Sequence, residues 1–332
     1  MPRLLGAAVR RAGVTFGLDH ALRRRRRHEL LAVCYHGIRR DDAPDRHWLL
    51  LPESAFERQI AYLAAHYDCL PVDEAVDRLR AGTLTRPTAC VTFDDGYANN
   101  LHLGLPILRR HGVPATIYLA TALVGTDLPI WTVAVEDLFT RTTRTHVDLA
   151  PFGGARVALG DRGERVAHAR AVVERLKAVP ATERRARVAA LAAELAPAGD
   201  GRADPPFALL DWDQVAELAA SGLVTFGGHT ATHEIVGRLD DAALDAEVGE
   251  SVRAVARAVP HASSRTFAYP NGRAVDFDAR AEAVLARHGC TAAFSTIDGL
   301  CDQDTPPFAL RRLVVGGADV DPRWFAMRAV GV

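Results

Sequence analysis

The chain has 332 residues, 48% hydrophobic and 24% charged, an ordinary globular balance with enough apolar material for a core that can hold a rigid site. A formal net charge of −1 gives no electrostatic bias toward nucleic acid, so no nucleic-acid partner is expected. The 5 cysteines, Cys34, Cys69, Cys90, Cys290 and Cys301, are odd in number and form no CxxC pair, which argues against a disulfide framework. No apolar run reaches the roughly 18 residues of a membrane-spanning helix. The apolar patch before Arg10 is too short for a secretory leader, and a cytoplasmic location is the expectation.

In chain order, residues 1–29 read as a basic N-terminal extension ending in the run Arg23 to Arg27. That run is expected to be a solvated helix face, with weak contact to anionic lipid head groups as the alternative. The remainder, residues 30–332, reads as one domain. Leu30 to Tyr35 (LLAVCY) is a buried strand with His36 at its tip. Ser54 with Glu57 forms the S-x-x-E pattern of a capping box, opening a helix to about Tyr67. Leu70 to Val72 is read as a short strand, and Asp73 as the cap of a helix that runs through Arg80. Ala89 to Phe93 (ACVTF) is the next strand, ending in Asp94-Asp95-Gly96. A helix from Tyr97 to His111 and a strand from Ala115 to Ala120 follow.

Trp131 to Thr140 reads as helical. The segment from about 141 to 206 changes character: an Arg- and Ala-rich helical stretch is followed by a breaker-rich loop. It reads as a helical insertion, and no catalytic constellation is visible in it. Beyond it come a helix at Trp212 to Ala220, a strand Val224 to Phe226 feeding Gly227-Gly228-His229, a helix Leu239 to Val259, and a strand Arg265 to Tyr269 broken at Pro270-Asn271-Gly272. A helix Asp278 to His288, strands at Ala292 to Ser295 and Ala309 to Val315, and a helix Asp321 to Val330 close the chain. Strands alternating with helices predict βαβ units around a parallel sheet. Polar residues gather after strand ends, where a parallel barrel builds its sites.

Two pairs of residues carry chemistry. Adjacent carboxylates at Asp94-Asp95 point in different directions from an extended backbone, so one can bind a cation while the other stays free. His229 and His233 share a face if their loop opens into a helical turn. Two imidazoles and one carboxylate make an open zinc-type site, and the second carboxylate is then available as a general base, with an amide or ester carbonyl as the target.

The same residues resemble the motifs of the polysaccharide deacetylases, the NodB-homology group of carbohydrate esterase family 4. Thr92-Phe93-Asp94-Asp95-Gly96-Tyr97 looks like the first motif and His229-Thr230-Ala231-Thr232-His233 like the second. Phe267-Ala268-Tyr269-Pro270-Asn271-Gly272 resembles the third motif of the exopolysaccharide branch, and Tyr35-His36-Gly37-Ile38 the segment that opens it. The resemblance implies a distorted (β/α)7 barrel of the α/β class. It implies Asp94 as catalytic base, Asp95, His229 and His233 as ligands of a divalent metal, usually Zn2+, and His36 as general acid. Asn271, through its backbone N–H, would help hold the oxyanion, with Tyr269 and Pro270 beside it. The implied reaction is hydrolysis of the carbon–nitrogen bond of an N-acetylated amino sugar, and the implied partner is an acetylated carbohydrate.

The sequence departs from the family pattern at Ala268, where an arginine usually orients the base. Arg265, Arg311 and Arg312 are the candidates to replace it. Trp131, Trp212 and Trp324 could stack on sugar rings, with core packing as their default. Two other readings compete: a deacetylase or deformylase of a lipid-linked amino sugar, and a catalytically inactive carbohydrate-binding barrel.

Overall fold

The computed structural model describes residues 18–43, 47–196 and 203–332. Residues 1–17 of the N-terminal extension, and 197–202 of the breaker-rich loop, lie outside the described residues. The chain enters through α1 (Leu18–Arg25) into β1 (Leu30–Tyr35). Next come β2 (Gly37–Arg39), β3 (Leu50–Pro52), α2 (Glu53–His66), β4 (Asp68–Cys69) and α3 (Val72–Arg80). β5 (Thr88–Phe93), α4 (Leu105–His111), β6 (Ala115–Leu119) and α5 (Trp131–Arg141) follow. An antiparallel hairpin, β7 (His146–Asp148) with β8 (Arg156–Ala158), leads into α6 (Arg162–Leu176) and α7 (Ala181–Leu195). The chain ends through α8 (Trp212–Ala220), β9 (Val224–Gly228), α9 (Asp241–Ala258), β10 (Ser263–Ala268), α10 (Ala279–Arg287), β11 (Ala292–Phe294), β12 (Leu313–Val314) and α11 (Pro322–Arg328).

Seven parallel strands form the main sheet in the order β11-β10-β9-β6-β5-β1-β12, and β4 pairs with the start of β5. β1, β5 and β6 are buried at every position. That is the signature of strands covered on both faces, and it explains their continuous apolar runs. Phe294 of β11 also bridges in parallel to Leu310, just ahead of β12 at the far end of the sheet. The ends of the sheet therefore approach each other, and the fold is a distorted (β/α) barrel. Helix caps fix several boundaries: Asp211 and Gln214 form a reciprocal capping box at α8, and Asp240 and Asp278 cap α9 and α10. Between β6 and β9, Val135 and Phe139 of α5 pack with Val172 and Leu176 of α6 and Leu191 and Leu195 of α7, a small core separate from that of the barrel.

Some boundaries differ from the sequence reading. α2 begins at Glu53 after Pro52 with no side-chain cap, so the Ser54–Glu57 box does not form. The Ser54 N–H donates instead to Asp41, and Glu57 pairs with Arg110. The short strand lies at Asp68–Cys69, and Val72 already opens α3. The Asp73 carboxylate accepts from Ser264 Oγ and the Arg265 N–H, tying α3 to β10. The helix expected from Tyr97 is irregular: a π-helical turn, Asn100–Gly104, precedes α4. Only Leu313–Val314 of the last expected strand pairs as strand.

The basic run is also not uniformly solvated. Arg23 is buried, donates to Tyr62 Oη at 2.7 Å and lies over the rings of Tyr62 and Tyr67, while Arg24, Arg25 and Arg27 are exposed. No described helix is long and apolar enough to cross a membrane.

Gly227 sits where β9 passes Tyr118 of β6. A Cβ there would lie 2.5 Å from the Tyr118 ring and 2.7 Å from the carbonyl oxygen of Thr266. Both neighbours are fixed in the barrel, so Gly227→Ala is expected to destabilise the protein by about 1–3 kcal/mol through overpacking. Chemical denaturation of the two proteins checks this, and coincident transitions would show that the sheet relaxes around the extra methyl.

Candidate active site

Asp94 and Asp95 follow β5 directly. Asp95 (φ 75°) and Gly96 (φ 82°) are both left-handed, so the chain turns sharply and the two carboxylates part. Asp94 is buried against Arg312, whose Nη1 and Nη2 donate to its two carboxylate oxygens at 2.7 Å each. Arg312 is fully buried as well, and its Nε donates to the carbonyl of Ser295 at 2.8 Å. This arginine, on the approach to β12, supplies beside Asp94 the charge that Ala268 lacks. Arg265 instead pairs with Asp77 and Asp73 on the outside of the barrel, away from Asp94. Burial alone would raise the Asp94 pKa, but Arg312, with His229 and His36, holds it below the ordinary carboxylate value.

Asp95 faces the two histidines. Its Oδ1 lies 3.2 Å from His233 Nε2 and 3.5 Å from His229 Nε2, and all three side chains are buried. Burial opposes ionisation of Asp95, yet the closeness of the His233 and His229 imidazoles holds its pKa well down. For the imidazoles the balance divides. Burial lowers the His233 pKa despite Asp95, whereas Asp94 and Asp95 overcome burial at His229 and raise it. His229 follows β9, and its Nδ1 lies 2.7 Å from the carbonyl of Ala268, which leaves Nε2 to face Asp95. The segment between the histidines is not a helical turn: Thr230 and His233 are both left-handed, at φ 60°. The two rings still meet, 5.0 Å apart, because the loop folds back on itself.

These donors suit a cation. One ligand atom from each of Asp95, His229 and His233 falls within 4.8 Å of the others. Asp95 Oδ1 and His233 Nδ1 are buried without a hydrogen-bond partner among the described residues. Two nitrogens and one carboxylate oxygen with further positions open match the donor set of catalytic zinc sites.

A cavity of about 530 Å³ opens over this cluster, within the usual range for small-ligand sites. His36, Asp94, Asp95, His229, His233 and Asn271 all border it. His36 lies at the end of β1, its ring edge-on to the half-exposed Trp48 at 5.3 Å. Burial lowers its pKa in spite of Asp95 and Asp94 nearby. Asn271 follows β10 in a left-handed conformation (φ 62°), fixed by its own amide donating to Asp276 and by Thr296 Oγ1 donating to its carbonyl at 2.7 Å. Tyr269 is buried and stacked on Phe277 at 4.3 Å, and neither it nor Pro270 borders the cavity. Cys34 is buried, and its thiol lies 3.4 Å from Asp94 Oδ2.

The far wall was not visible in the sequence. Arg170, Val173, Glu174 and Lys177, on or just beyond α6, line the cavity with Trp131 and Glu136 of α5. Arg273, two residues past Asn271, pairs with Glu174 at 3.1 Å and with Asp276 at 3.0 Å. The insertion therefore borders the site. No local motif could have revealed this, since only the fold brings α6 to the cavity. Trp48 had no sequence signal either.

The family model described as polysaccharide deacetylase matches residues 81–293, more than half of the chain. Comparison with curated proteins gives no match. Among solved structures, a Streptococcus pyogenes deacetylase, PplD, in complex with acetate aligns at TM-score 0.57 and 15% identity, covering 87% of this chain and 93% of its own. IcaB from Ammonifex degensii aligns at TM-score 0.57 and 16% identity, over 91% and 97% of the two chains. A de-N-acetylase from Aggregatibacter actinomycetemcomitans aligns at TM-score 0.53 and 15% identity, over 87% and 96%. The fold and the site define a distorted (β/α) barrel with a carboxylate- and imidazole-lined centre. The chain belongs to the polysaccharide deacetylase family.

The Arg312–Asp94 pair gives a direct test. Arg312→Ala leaves a buried carboxylate without its partner and is expected to destabilise the protein by about 3–5 kcal/mol. Arg312→Lys keeps the charge but loses the two-pronged geometry, so its loss should be smaller. Denaturation midpoints order the three proteins, and equal midpoints for wild type and Arg312→Ala would refute the assignment of this pair.

Proposed function

We propose that this protein is a metal-dependent hydrolase that removes acetyl groups from N-acetylated amino sugars, of the exopolysaccharide-type branch of its family. The observation that carries this reading is the buried Asp95–His229–His233 cluster opening on a cavity beside Asp94, whose carboxylate Arg312 holds in place. Asp95, His229 and His233 are the residues that would hold the ion, and zinc suits their donor set best. When bound, the ion supplies Lewis-acid polarisation and an open position for water and the acetyl oxygen.

The remaining steps belong to side chains and backbone. Asp94, kept ionised by Arg312, accepts the proton of the attacking water as its oxygen bonds to the acetyl carbon. The Asn271 N–H donates to the acetyl oxygen as negative charge develops on it. The carbon–nitrogen bond then breaks, His36 gives a proton to the leaving amine, and acetate and the free amino sugar depart. A second reading keeps the chemistry but changes the substrate to a lipid-linked amino sugar carrying an acetyl or formyl group. The apolar wall of Trp131, Val133, Val173 and Ile235 favours it, and the exposed Arg24, Arg25 and Arg27 would suit an anionic membrane surface.

Metal content and acetate release from N-acetylglucosamine oligomers, measured together, test the reading. His233→Ala should lose both. Asp94→Asn should keep the metal and lose turnover. His36→Ala should keep the metal and lose on the order of 10²–10⁴ in rate. Normal turnover in Asp94→Asn would remove that residue as the base, and loss of metal in His36→Ala would make it a ligand. Bound metal without acetate release, together with turnover of a lipid-linked substrate, would select the second reading. A wild type that binds sugar but never metal would be an inactive binding barrel.

A further inference from the structure

His229 and His233 are held in different ways. The His229 ring is fixed by the carbonyl of Ala268 at its Nδ1. His233 Nδ1 is buried and has no hydrogen-bond partner among the described residues. A metal-ligating imidazole normally gains its orientation from a partner on its second nitrogen; His233 has none there, which leaves its main chain, beside Asp95 and the His229 ring, to set its direction. That main chain is left-handed (φ 60°), a conformation rare for a residue with a β-carbon unless its surroundings impose it.

The surroundings that do so come from α5 and α7, between β6 and β9. Trp131 of α5 donates its indole N–H to the His233 carbonyl at 3.2 Å. The Arg184 guanidinium of α7 lies 4.9 Å from the centre of the Trp131 ring. The same Arg184 forms an ion pair with Glu234, the residue after His233, and both are buried. Arg185 donates to Glu234 at 2.8 Å, and the Glu234 N–H donates to Thr230 Oγ1 at 3.0 Å. One arginine thus grips the loop on both sides of the His233 peptide, by charge at Glu234 and by its face on Trp131.

We infer that Arg184 is a positioning residue of the metal site, holding His233 in coordinating geometry through Glu234 and Trp131. The inference rests on the metal-site reading above. It makes the insertion a brace of the barrel's chemistry, and it predicts that metal affinity is lost when the brace is removed even though all three ligands remain.

The test uses the full chain and reads zinc affinity by competition with a chromophoric chelator, beside melting curves of the metal-free proteins. Arg184→Met combined with Glu234→Gln removes both charges together, so neither is left buried alone. The double variant should melt close to wild type when metal-free but bind zinc about 10- to 100-fold more weakly, the usual penalty for losing a group that orients a ligand. Arg184→Lys, which keeps the charge, should fall between. Should the double variant not fold, Trp131→Phe keeps an aromatic face, removes the indole N–H to His233 with part of the ring, and should weaken zinc binding several-fold. Wild-type zinc affinity in the folded double variant, or in Trp131→Phe where that stands in for it, overturns the inference and leaves the metal reading intact. A wild type that takes up no zinc overturns the metal reading itself, and the brace with it.

Discussion

The carboxylate of Asp94 and the guanidinium of Arg312 meet out of contact with water, and the geometry of the active end of the barrel hangs on that pair. Arg312 sits on the approach to the last strand and Asp94 at the end of a central one, so their two parallel hydrogen bonds also tie the edge of the sheet to its middle. A buried ion pair is weak evidence for net stability, because desolvation of both ions offsets their attraction. Its value here is directional. The planar fork permits essentially one orientation of the carboxylate, and the positive charge keeps that carboxylate ionised where burial alone would neutralise it.

Charge neutralisation explains why two acidic residues can stand side by side in a buried site. Unpartnered, Asp94 and Asp95 would each raise the other's pKa, and one would hold a proton. The left-handed turn at Asp95 separates them and gives each a different positive neighbour. Arg312 is permanent, so Asp94 is a carboxylate at any physiological pH. The partners of Asp95 are imidazoles whose charge is exchangeable, which is what a site for a removable cation requires. With both imidazoles neutral, the two carboxylates and one guanidinium leave a single net negative charge in the cluster, and a divalent ion would reverse its sign. A positive centre beside the cavity is the environment that a developing oxyanion needs.

The residues legible in the sequence are those whose meaning is local. Asp94-Asp95-Gly96 and His229 to His233 follow buried strands, and their spacing survives folding because a few bonds separate their members. The strands were legible for a related reason: all positions of LLAVCY and ACVTF are buried, so no polar alternation interrupts them. Ser54 and Glu57 misled because a local pattern was overruled at long range, by Asp41 taking the Ser54 N–H and Arg110 taking Glu57. The helical turn that would put both histidines on one face does not form, since Trp131, Thr230 and Glu234 hold that loop in a different shape. Arg184 and Arg312 could not be ranked above the other arginines by spacing alone. Their roles exist only once distant segments are in contact.

The insertion illustrates the same limit and shows why it could not lie apart from the chemistry. In a parallel barrel the chain leaves each strand at the end where the sites are built. The segment containing α5, α6 and α7 departs from the end of β6 and returns through α8 to the start of β9, the neighbour of β6 in the sheet. An excursion begun at that point emerges on the catalytic face and has to pass over it before turning back. Its lack of catalytic motifs therefore says nothing about distance from the site. Its apolar residues build a small core with α5, its outward cations and carboxylates line the cavity, and its buried arginine reaches the loop of the second histidine. Loop length at the C-terminal end of a barrel strand is a better guide to involvement in the site than the residues the loop contains.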